Sequence, residues 1–326
     1  MKERLIDFLI CPICQQKLNL IDAYYANGEI KEGFFECNHC YKKYPIIDFI
    51  PRFLPETYYS LYKETSRNFA FSWRLFARIY EDPRDFLDWI KPVRPDFFKD
   101  KIVVDAGCGT GMHAVFAAQF GAREVIAFDF SPAVEVAREN TRGFPQIHII
   151  QADIFHLPLK ACIDYIYCIG VLQHLPDPYL GFCNLVNLLR DNGSLSIWVY
   201  GYEGTEFVRY IIDPIRRITS RLPLFAVYLA SFPPTAIFYL LTRIVNLAKK
   251  NFSLKKIPMS EYLAYMSQFS FNYLHNSVFD QLIAPITKYF RRDEVLAWFK
   301  KAGLSNIQIS SRNEMSWRGF GQRLIH

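Results

Sequence analysis

The sequence predicts an α/β fold in which a doubly wound, mostly parallel sheet follows a small cysteine-containing module. Three observations predict it. From residue 101 onward, short apolar runs typical of buried strands alternate with helical patterns. The first of these strands runs directly into a glycine-rich turn and a helix, within Val103-Val104-Asp105-Ala106-Gly107-Cys108-Gly109-Thr110-Gly111. Two Cys-x-x-Cys pairs lie near the start of the chain.

Length and composition limit the number of domains, the class of protein and its compartment. The 326 residues allow one large domain or two smaller ones, and a chain that is 51% apolar is expected to be globular. The first residues carry charges of both signs with no long apolar stretch behind them, so no signal peptide is expected. Eight cysteines without an extracellular cue indicate thiols in a reducing compartment, and we expect a cytoplasmic protein.

The first module, residues 1–55, holds four cysteines in a regular pattern: Cys11, Cys14, Cys37 and Cys40. Two such pairs can place four thiolates on one tetrahedral Zn²⁺, and four protein ligands leave no open position, so the metal should be structural. Disulfides are the alternative, and His39 could replace one cysteine, although the symmetric spacing disfavours this. Together with residues 44–54, the two pairs resemble the Trm112-like zinc domain. That resemblance implies a role in contacting a methyltransferase, either as a separate partner or as a fused module.

Residues 56–100 connect this module to the main domain. Aromatic residues recur there at mixed helical spacings among alternating charges, which predicts two short helices packed on the main domain. They should form a covering layer over the sheet or over its ligand site.

The glycine-rich turn indicates the class of ligand. A dinucleotide fingerprint would need a third glycine where Met112 stands, so that match fails. Instead, Asp105 ends the strand and is followed by Gly107, Gly109 and Gly111. A ligand with an amino acid tail offers an ammonium group to such a carboxylate, whereas a pyrophosphate does not.

Acidic residues also end the next two predicted strands, at Asp129 and at Asp153. Each could be a turn residue or a cap, but their order behind one glycine loop resembles the class I S-adenosylmethionine (SAM) methyltransferases. The resemblance implies that Asp129 binds ribose hydroxyls and that Asp153 accepts from the adenine amino group. It also implies a seven-stranded sheet with an antiparallel last strand. The implied SAM-binding residues are Asp105, Ala106, Gly107, Cys108, Gly109, Gly111, Asp129, Phe130, Asp153, Ile154 and Gly170.

The other elements follow the same alternation. The predicted strands are 101–104, 124–128, 147–151, 164–169, 194–200 and 304–310, with a last one starting near 316. The predicted helices are 112–120, 131–140, 179–189 and 293–301. For the second helix, Ser131 is the expected N-cap and Pro132 the first helical residue. Residues 191–193 read as a turn.

His174 follows the fourth strand and is the candidate general base, because transfer to an oxygen acceptor requires removal of a proton. The alternative is that it only caps the next segment. The surrounding Gln173-His174-Leu175-Pro176 differs from the N/D-P-P-Y sequence of many amine and base methylating families, which favours a small-molecule or lipid-like acceptor.

Residues 201–285 are predicted to be an insertion between the two parts of the methyltransferase domain, 101–200 and 286–326. Residues 201–300 hold 13 Lys and Arg against 7 Asp and Glu, and no charged residue occurs from 222 to 242. Pro233 and Pro234 should divide this apolar stretch into two short helices. Three interpretations stay open: a buried cap over the substrate, a membrane-facing patch with basic flanks, or a membrane span. Tyr228, Phe232, Phe238 and Tyr239 are the aromatic residues expected to contact a bulky apolar acceptor.

The sequence thus predicts a SAM-dependent methyltransferase for a small, bulky apolar or lipid-like acceptor, cytoplasmic or peripheral to a membrane. One alternative is an RNA-modifying methyltransferase that uses the zinc module. However, residues 1–55 balance 7 Lys and Arg against 7 Asp and Glu, which argues against nucleic acid binding. The other alternative is a non-catalytic SAM-binding partner of a second methyltransferase.

Overall fold

The computed structural model describes residues 1–55, 60–76, 82–251 and 259–324, and in this part of the chain one sheet of eleven strands forms the framework. The strands are β1 (Leu18–Ala26), β2 (Glu29–Cys37), β3 (Lys43–Ile47), β4 (Ile50–Phe53), β5 (Ile102–Ala106), β6 (Glu124–Asp129), β7 (Ile147–Ala152), β8 (Ile163–Ile169), β9 (Leu189–Tyr200), β10 (Ser305–Arg312) and β11 (Ser316–Gln322). Their spatial order is β1-β2-β3-β4-β7-β6-β5-β8-β9-β11-β10.

The strands from β5 onward form the predicted doubly wound sheet. The pairs β5–β6, β6–β7, β5–β8 and β8–β9 are parallel, and β11 lies antiparallel to β9. All six residues of β6 are buried, as expected for a parallel strand covered on both faces. Val103 and Val104, neighbours in β5, belong to hydrophobic cores on opposite faces of the sheet. The predicted fold class and the antiparallel last strand are confirmed.

The helices cover both faces and extend beyond the sheet. They are α1 (Ser60–Leu75), α2 (Pro83–Trp89), α3 (Met112–Gln119), α4 (Val134–Asn140), α5 (Pro178–Asn187), α6 (Asp213–Thr219), α7 (Leu224–Ala230), α8 (Phe232–Asn251), α9 (Ser260–Met266), α10 (Phe271–Ile283) and α11 (Arg292–Lys301). Within the predicted linker, α1 is longer than the short helix expected there. Residues 56–59 and 77–81 of that segment lie outside the described ranges.

The N-terminal module extends the sheet of the main domain. Strand β4 pairs in parallel with β7, with Arg52 opposite Gln151 and Phe53 opposite Ala152. The Arg52 guanidinium donates to the Gln151 side chain at 2.7 Å, and the Lys2 ammonium donates to the carbonyl groups of Phe144 and Ile147 at 2.8 Å. The module is therefore attached beside the strand that leads to Asp153.

Two local predictions are wrong. Helix α4 begins at Val134, so Ser131 is not its N-cap; instead, its Oγ accepts from the Ala133 N–H at 3.2 Å in the turn before the helix. The turn expected at 191–193 lies inside β9, which begins at Leu189. There Asn192 adopts a left-handed conformation with φ of 61°, and the register against β8 shifts. The turn signal thus marks a β-bulge.

The insertion contains helices α6 to α10, apart from residues 252–258, which lie outside the described ranges. Two helices do meet near the proline pair, but α8 begins at Phe232 and continues for 20 residues. Pro233 and Pro234 stand in its first turn, where the backbone N–H groups need no helical partner. The prolines therefore start the helix instead of ending it.

The polarity of α8, with Ser231 just before it, is inverted relative to a helix of a soluble core. Ser231, Thr235 and Thr242 are fully buried, whereas Ile237, Leu240 and Ile244 are each at least 60% exposed. The stretch Leu224–Ala248 is long and apolar enough to cross a membrane: it contains an 18-residue window with a mean hydropathy of 1.7, and 17% of that window is buried. The interpretation of 222–242 as a buried cap is therefore wrong for this stretch.

Candidate functional site

The glycine turn after β5 has the geometry that only glycine adopts readily. Gly107, Gly109 and Gly111 have φ of 81°, 50° and 79°. A Cβ at Gly107 would lie 2.3 Å from a methyl group of Val171, so a side chain there would clash. The N–H groups of Gly107 and Cys108 both donate to the Phe128 carbonyl, at 2.8 and 2.9 Å, which fixes the turn against the end of β6.

Asp105, Asp129 and Asp153 come to the same edge of the sheet because β5, β6 and β7 are adjacent and parallel. The Asp129 carboxylate accepts from the N–H groups of Gly109 at 3.0 Å and Ser131 at 2.8 Å. Burial raises the pKa of Asp129, although these N–H groups oppose the shift. Asp153 accepts from the Phe155 N–H at 3.1 Å. Burial, and then the adjacent Asp105 carboxylate, raise the pKa of Tyr167.

A first cavity of about 120 Å³ lies over this edge. Six of the predicted site residues line it: Gly107, Asp129, Phe130, Ile154, Gly170 and His174. Thr65, Ser66, Phe69 and Trp73 of α1 close it from the other side. The linker helix thus forms one wall of the cavity.

A second cavity of about 380 Å³ continues from the first, and the two share Gly107, Ile169 and Trp73. Cys108 and Gly109 line this second cavity, whereas Asp105, Ala106, Gly111 and Asp153 are not among the described residues on either wall. Its tyrosine lining comes from β9, from the insertion and from the segment just after it: Tyr200, Tyr262, Tyr265, Tyr273 and Tyr289. A ligand that is longer than either cavity can span both across Gly107.

A third cavity of about 560 Å³ adjoins the second and shares Phe76 and Tyr273 with it. Tyr228 and Phe232 line this third cavity and not the second. Phe238 and Tyr239, also expected to contact the acceptor, line none of the three cavities. None of the four aromatic residues predicted to contact the acceptor therefore lines the second cavity, beside the glycine turn.

His174 is buried between the rings of Phe69 and Tyr200, with centroids at 5.0 and 5.6 Å. Its Nδ1 lies 2.7 Å from the Ile286 carbonyl, so Nδ1 carries the proton and donates. Burial lowers the pKa of His174 to about 4. The imidazole is then neutral at pH 7, and Nε2 keeps its lone pair but is a weak base.

Sequence reasoning missed several residues of the second cavity. Asp280 of α10 lines it and accepts from the Ser72 hydroxyl at 2.5 Å; burial raises the pKa of Asp280 to about 7. Arg312, at the end of β10, lines it from the opposite side of the fold. Trp73, by contrast, is one of the aromatic residues of the linker expected to cover the ligand site, and it covers the glycine turn, since a Cβ at Gly109 would lie 3.2 Å from its ring. Neither Asp280 nor Arg312 belongs to a motif, so the sequence had no local signal for them.

The four predicted metal ligands come together in the N-terminal module. The Sγ atoms of Cys11, Cys14, Cys37 and Cys40 all lie within 4.8 Å of one another. The Cys14–Cys37 and Cys11–Cys40 sulfur distances are 3.3 and 3.6 Å, close to the roughly 3.8 Å that a tetrahedron with Zn–S bonds of about 2.3 Å requires. A disulfide would need about 2.05 Å, and all four cysteines are free. The donor set fits a structural zinc ion.

Comparison with known proteins agrees with both parts. Residues 104–197 match the family described as "Methyltransferase domain", and residues 2–48 match "Trm112p-like protein". A tRNA U34 carboxymethyltransferase of Pseudoalteromonas atlantica is 31% identical over 33% of this chain and 34% of its own length. A trans-aconitate 2-methyltransferase of Escherichia coli is 34% identical over 30% of this chain and 38% of its own length. The chain thus spans little more than a third of these relatives.

Solved structures give fold likeness only. A complex of the Haloferax volcanii Trm112 methyltransferase activator with a methyltransferase is similar with 15% identity, over 82% of this chain and 99% of that one, at a TM-score of 0.46. A Burkholderia thailandensis N1-methyltransferase with bound S-adenosylhomocysteine is similar with 12% identity, over 93% of this chain and 99% of that one, at a TM-score of 0.49. The assignment therefore depends on the sequence matches. By these matches, residues 2–48 belong to a Trm112-like domain and residues 104–197 to a methyltransferase domain.

Proposed function

We propose that the protein is a SAM-dependent methyltransferase that modifies a bulky, lipid-like acceptor at a membrane surface. The observation that carries the proposal is the pair of connected cavities on either side of the glycine turn. One cavity is bounded by the strand ends after β6 and β7, and the other by an aromatic and polar lining from the insertion. One cavity can therefore hold SAM and the other the methyl acceptor, with their reacting atoms in line across Gly107.

In this proposal the first cavity takes the adenosine part of SAM. Phe130 and Ile154 supply its apolar walls, and Asp129 has lone pairs left for ribose hydroxyls beyond the two N–H groups it already accepts. When bound, SAM supplies the activated methyl group. The chain's own residues hold the acceptor in the second cavity and exclude water from it.

We expect Asp129→Ala to weaken binding of S-adenosylhomocysteine by about 1–3 kcal/mol, the cost of removing a buried polar partner. Isothermal titration calorimetry measures this directly. Asp177→Ala is the matched control, because Asp177 caps α5 through the Leu180 N–H, at 3.0 Å, and lines neither cavity. Equal affinities of the two variants would contradict the placement of the ribose beside Asp129.

A proton must leave the acceptor if the methylated atom is a hydroxyl oxygen. His174 is the base predicted from the sequence, but its lowered pKa of about 4 makes it poorly suited at neutral pH. Asp280 faces the second cavity with a pKa of about 7, near the value that general base catalysis favours. We therefore favour Asp280 as the base and assign His174 to positioning Tyr200 and Phe69.

The membrane part of the proposal is supported by charge as well as by exposure. Residues 214–260 hold eight Lys and Arg and no Asp or Glu. Arg217 and Arg221 are exposed and lie just ahead of the outward-facing apolar residues of α7 and α8. An apolar face with cations beside it is complementary to an anionic bilayer surface. Phe232 belongs both to this face and to the third cavity, which gives an acceptor a route towards the second cavity.

We expect the protein to sediment with vesicles of phosphatidylcholine and phosphatidylserine, and less with phosphatidylcholine alone. The triple variant Ile237→Ser, Leu240→Ser, Ile244→Ser should bind at least about tenfold more weakly, because each side chain loses apolar burial of about 1.5–3 kcal/mol at full insertion. Leu180→Ser is the control, since Leu180 is an exposed leucine on α5. High salt should weaken binding through the basic residues. Absence of sedimentation with either vesicle would refute the membrane surface.

An RNA acceptor is the alternative that the similarity to a tRNA enzyme suggests. The insertion's cations flank apolar side chains and do not alternate with polar ones along a groove, which disfavours it. Transfer of tritiated methyl groups from SAM to total tRNA, compared with transfer to a lipid extract, distinguishes the two.

A further inference from the structure

One end of the second cavity is formed by a buried arginine with spare hydrogen-bonding capacity. The Arg312 side chain is 6% exposed, and its Nε donates to Asp88 Oδ2 at 2.6 Å. The guanidinium lies over the rings of Trp89, at 5.2 Å, and Tyr265, at 4.5 Å. Its Nη2 is buried and has no hydrogen-bond acceptor among the described residues. A buried cationic N–H group without an acceptor is costly, which indicates a site for a ligand.

Two further N–H donors at this end of the cavity are also buried without a hydrogen-bond acceptor among the described residues. Trp89 Nε1 and Asn313 Nδ2 are buried without hydrogen-bond partners in the described ranges, and both residues line the second cavity. They come from separate elements, α2 and the β10–β11 hairpin, so no single local motif accounts for their meeting. Three N–H groups face one volume, and none of the three can act as an acceptor.

The charge around Arg312 is also unbalanced. Asp88 is shared by three cations: Arg312, Arg318 at 3.0 Å, and Lys91 at 2.5 Å. Asp85, which interacts electrostatically with Arg312, is a second carboxylate nearby. Two carboxylates face three cations, so this end of the cavity keeps a positive charge that favours an anion. We propose that Arg312, Trp89 and Asn313 form a subsite for an oxyanion carried by the methyl acceptor, a carboxylate in the first instance. Given the proposed function, the acceptor is then an amphiphile whose anionic head lies in the second cavity and whose apolar part extends towards the third.

The methionine carboxylate of SAM is the other source of the same chemistry. Arg312 stands on β10, four strands away from β5 and its glycine turn in the order β5-β8-β9-β11-β10. At about 4.8 Å per strand the two backbones are roughly 19 Å apart along the sheet. The guanidinium is closer, because it lies over Trp89, whose ring centroid is 5.4 Å from that of His113 just after the glycine turn. The β10–β11 hairpin instead adjoins the end of β9, where the Gly201 N–H donates to the Met315 carbonyl at 2.9 Å. That position at the end of β9 favours the acceptor as the source of the anion, and the test below distinguishes the two sources.

The test uses calorimetry on the full chain saturated with S-adenosylhomocysteine, with decanoate and decan-1-ol as probes. Decanoate should bind at least about tenfold more tightly than the alcohol, as expected for charge-assisted hydrogen bonds. Arg312→Met should abolish this preference, and Trp89→Phe should reduce it while keeping the ring under the guanidinium. Arg318→Met is the control, because Arg318 also pairs with Asp88 but does not line the cavity.

Each outcome decides one point. Equal binding of the acid and the alcohol to the unaltered protein overturns the subsite. So does loss of the preference in Arg318→Met to the same degree as in Arg312→Met. If Arg312→Met weakens S-adenosylhomocysteine but leaves methylthioadenosine, which lacks the carboxylate, unchanged, the anion is the cofactor's own and the acceptor assignment fails. Failure of the unaltered protein to bind S-adenosylhomocysteine would instead refute the proposed function.

Discussion

Removing zinc from the Cys11, Cys14, Cys37 and Cys40 cluster is expected to unfold residues 1–55 and to weaken S-adenosylhomocysteine binding by the rest of the chain. The binding free energy of a structural zinc, about 10–16 kcal/mol, is largely folding free energy for its module. Because β4 pairs directly with β7, loss of the module exposes the edge of the strand that leads to Asp153. The damage should therefore reach the first cavity, although no cysteine of the cluster lies there.

Elemental analysis should find one zinc per chain, and circular dichroism with a strong chelator should follow the unfolding. Cys37→Ser should reproduce the effect of the chelator. Cys183→Ser is the control, since Cys183 is a free cysteine on α5 outside the cluster. A metal-free protein with an unchanged melting temperature would show that the cluster has no structural role.

Asp280→Asn is expected to stabilise the folded protein at pH 8 while it slows methyl transfer to a hydroxyl acceptor. Burial raises the pKa of Asp280 from 3.8 to about 7, so the ionised carboxylate costs stability above that pH. A shift of this size corresponds to about 4 kcal/mol, and water in the adjoining cavity should reduce it to roughly 2–4 kcal/mol. A residue that lowers stability while it lines a cavity is typical of a functional group.

The sign of the pH dependence follows from the raised pKa. Between pH 4 and pH 7 the folded state holds a proton at Asp280 that the unfolded state has released, so this contribution to stability falls as pH rises. Urea titrations at pH 5 and pH 8 should show a larger gain from Asp280→Asn at pH 8. Asp177→Asn, on the exposed cap of α5, should show no such difference. A gain that does not change with pH would contradict a raised pKa, and unchanged transfer to hydroxyl acceptors would reject Asp280 as the base.

The parts of the site that the sequence predicted are those encoded by local patterns. Asp105, Asp129 and Asp153 each follow an apolar run, and adjacent parallel strands bring such positions to one edge. Of the three, Asp129 lines the first cavity, whereas Asp105 and Asp153 line neither the first nor the second. The four cysteines are a local pattern as well. Such features depend on residues a few positions apart, so they can be recognised in the sequence without knowledge of the structure.

The parts that the sequence did not predict depend on contacts between distant residues. Arg312 and Trp89 meet only after α2 and the β10–β11 hairpin have packed on the same cavity. The outward orientation of α8 is only one of three interpretations that the sequence leaves open, because an uncharged stretch is also compatible with burial. The deciding residues are the small polar Thr235 and Thr242, which pack inward where apolar residues were expected. The pairing of β4 with β7 has no signature in either segment.

The junction between β4 and β7 also affects how association of the two domains should depend on protein concentration. Where a Trm112-like domain and a methyltransferase domain are separate chains, their association depends on the supply of each. Here the two are tethered, so the effective concentration of the module at its docking site is in the millimolar range for a short connection. Dilution should not separate them, and their ratio is fixed at one to one by synthesis. Because of the tether, the module needs only a low intrinsic affinity for this contact. An excess of another Trm112-like protein, which lacks the tether, should therefore compete poorly for the edge of β7.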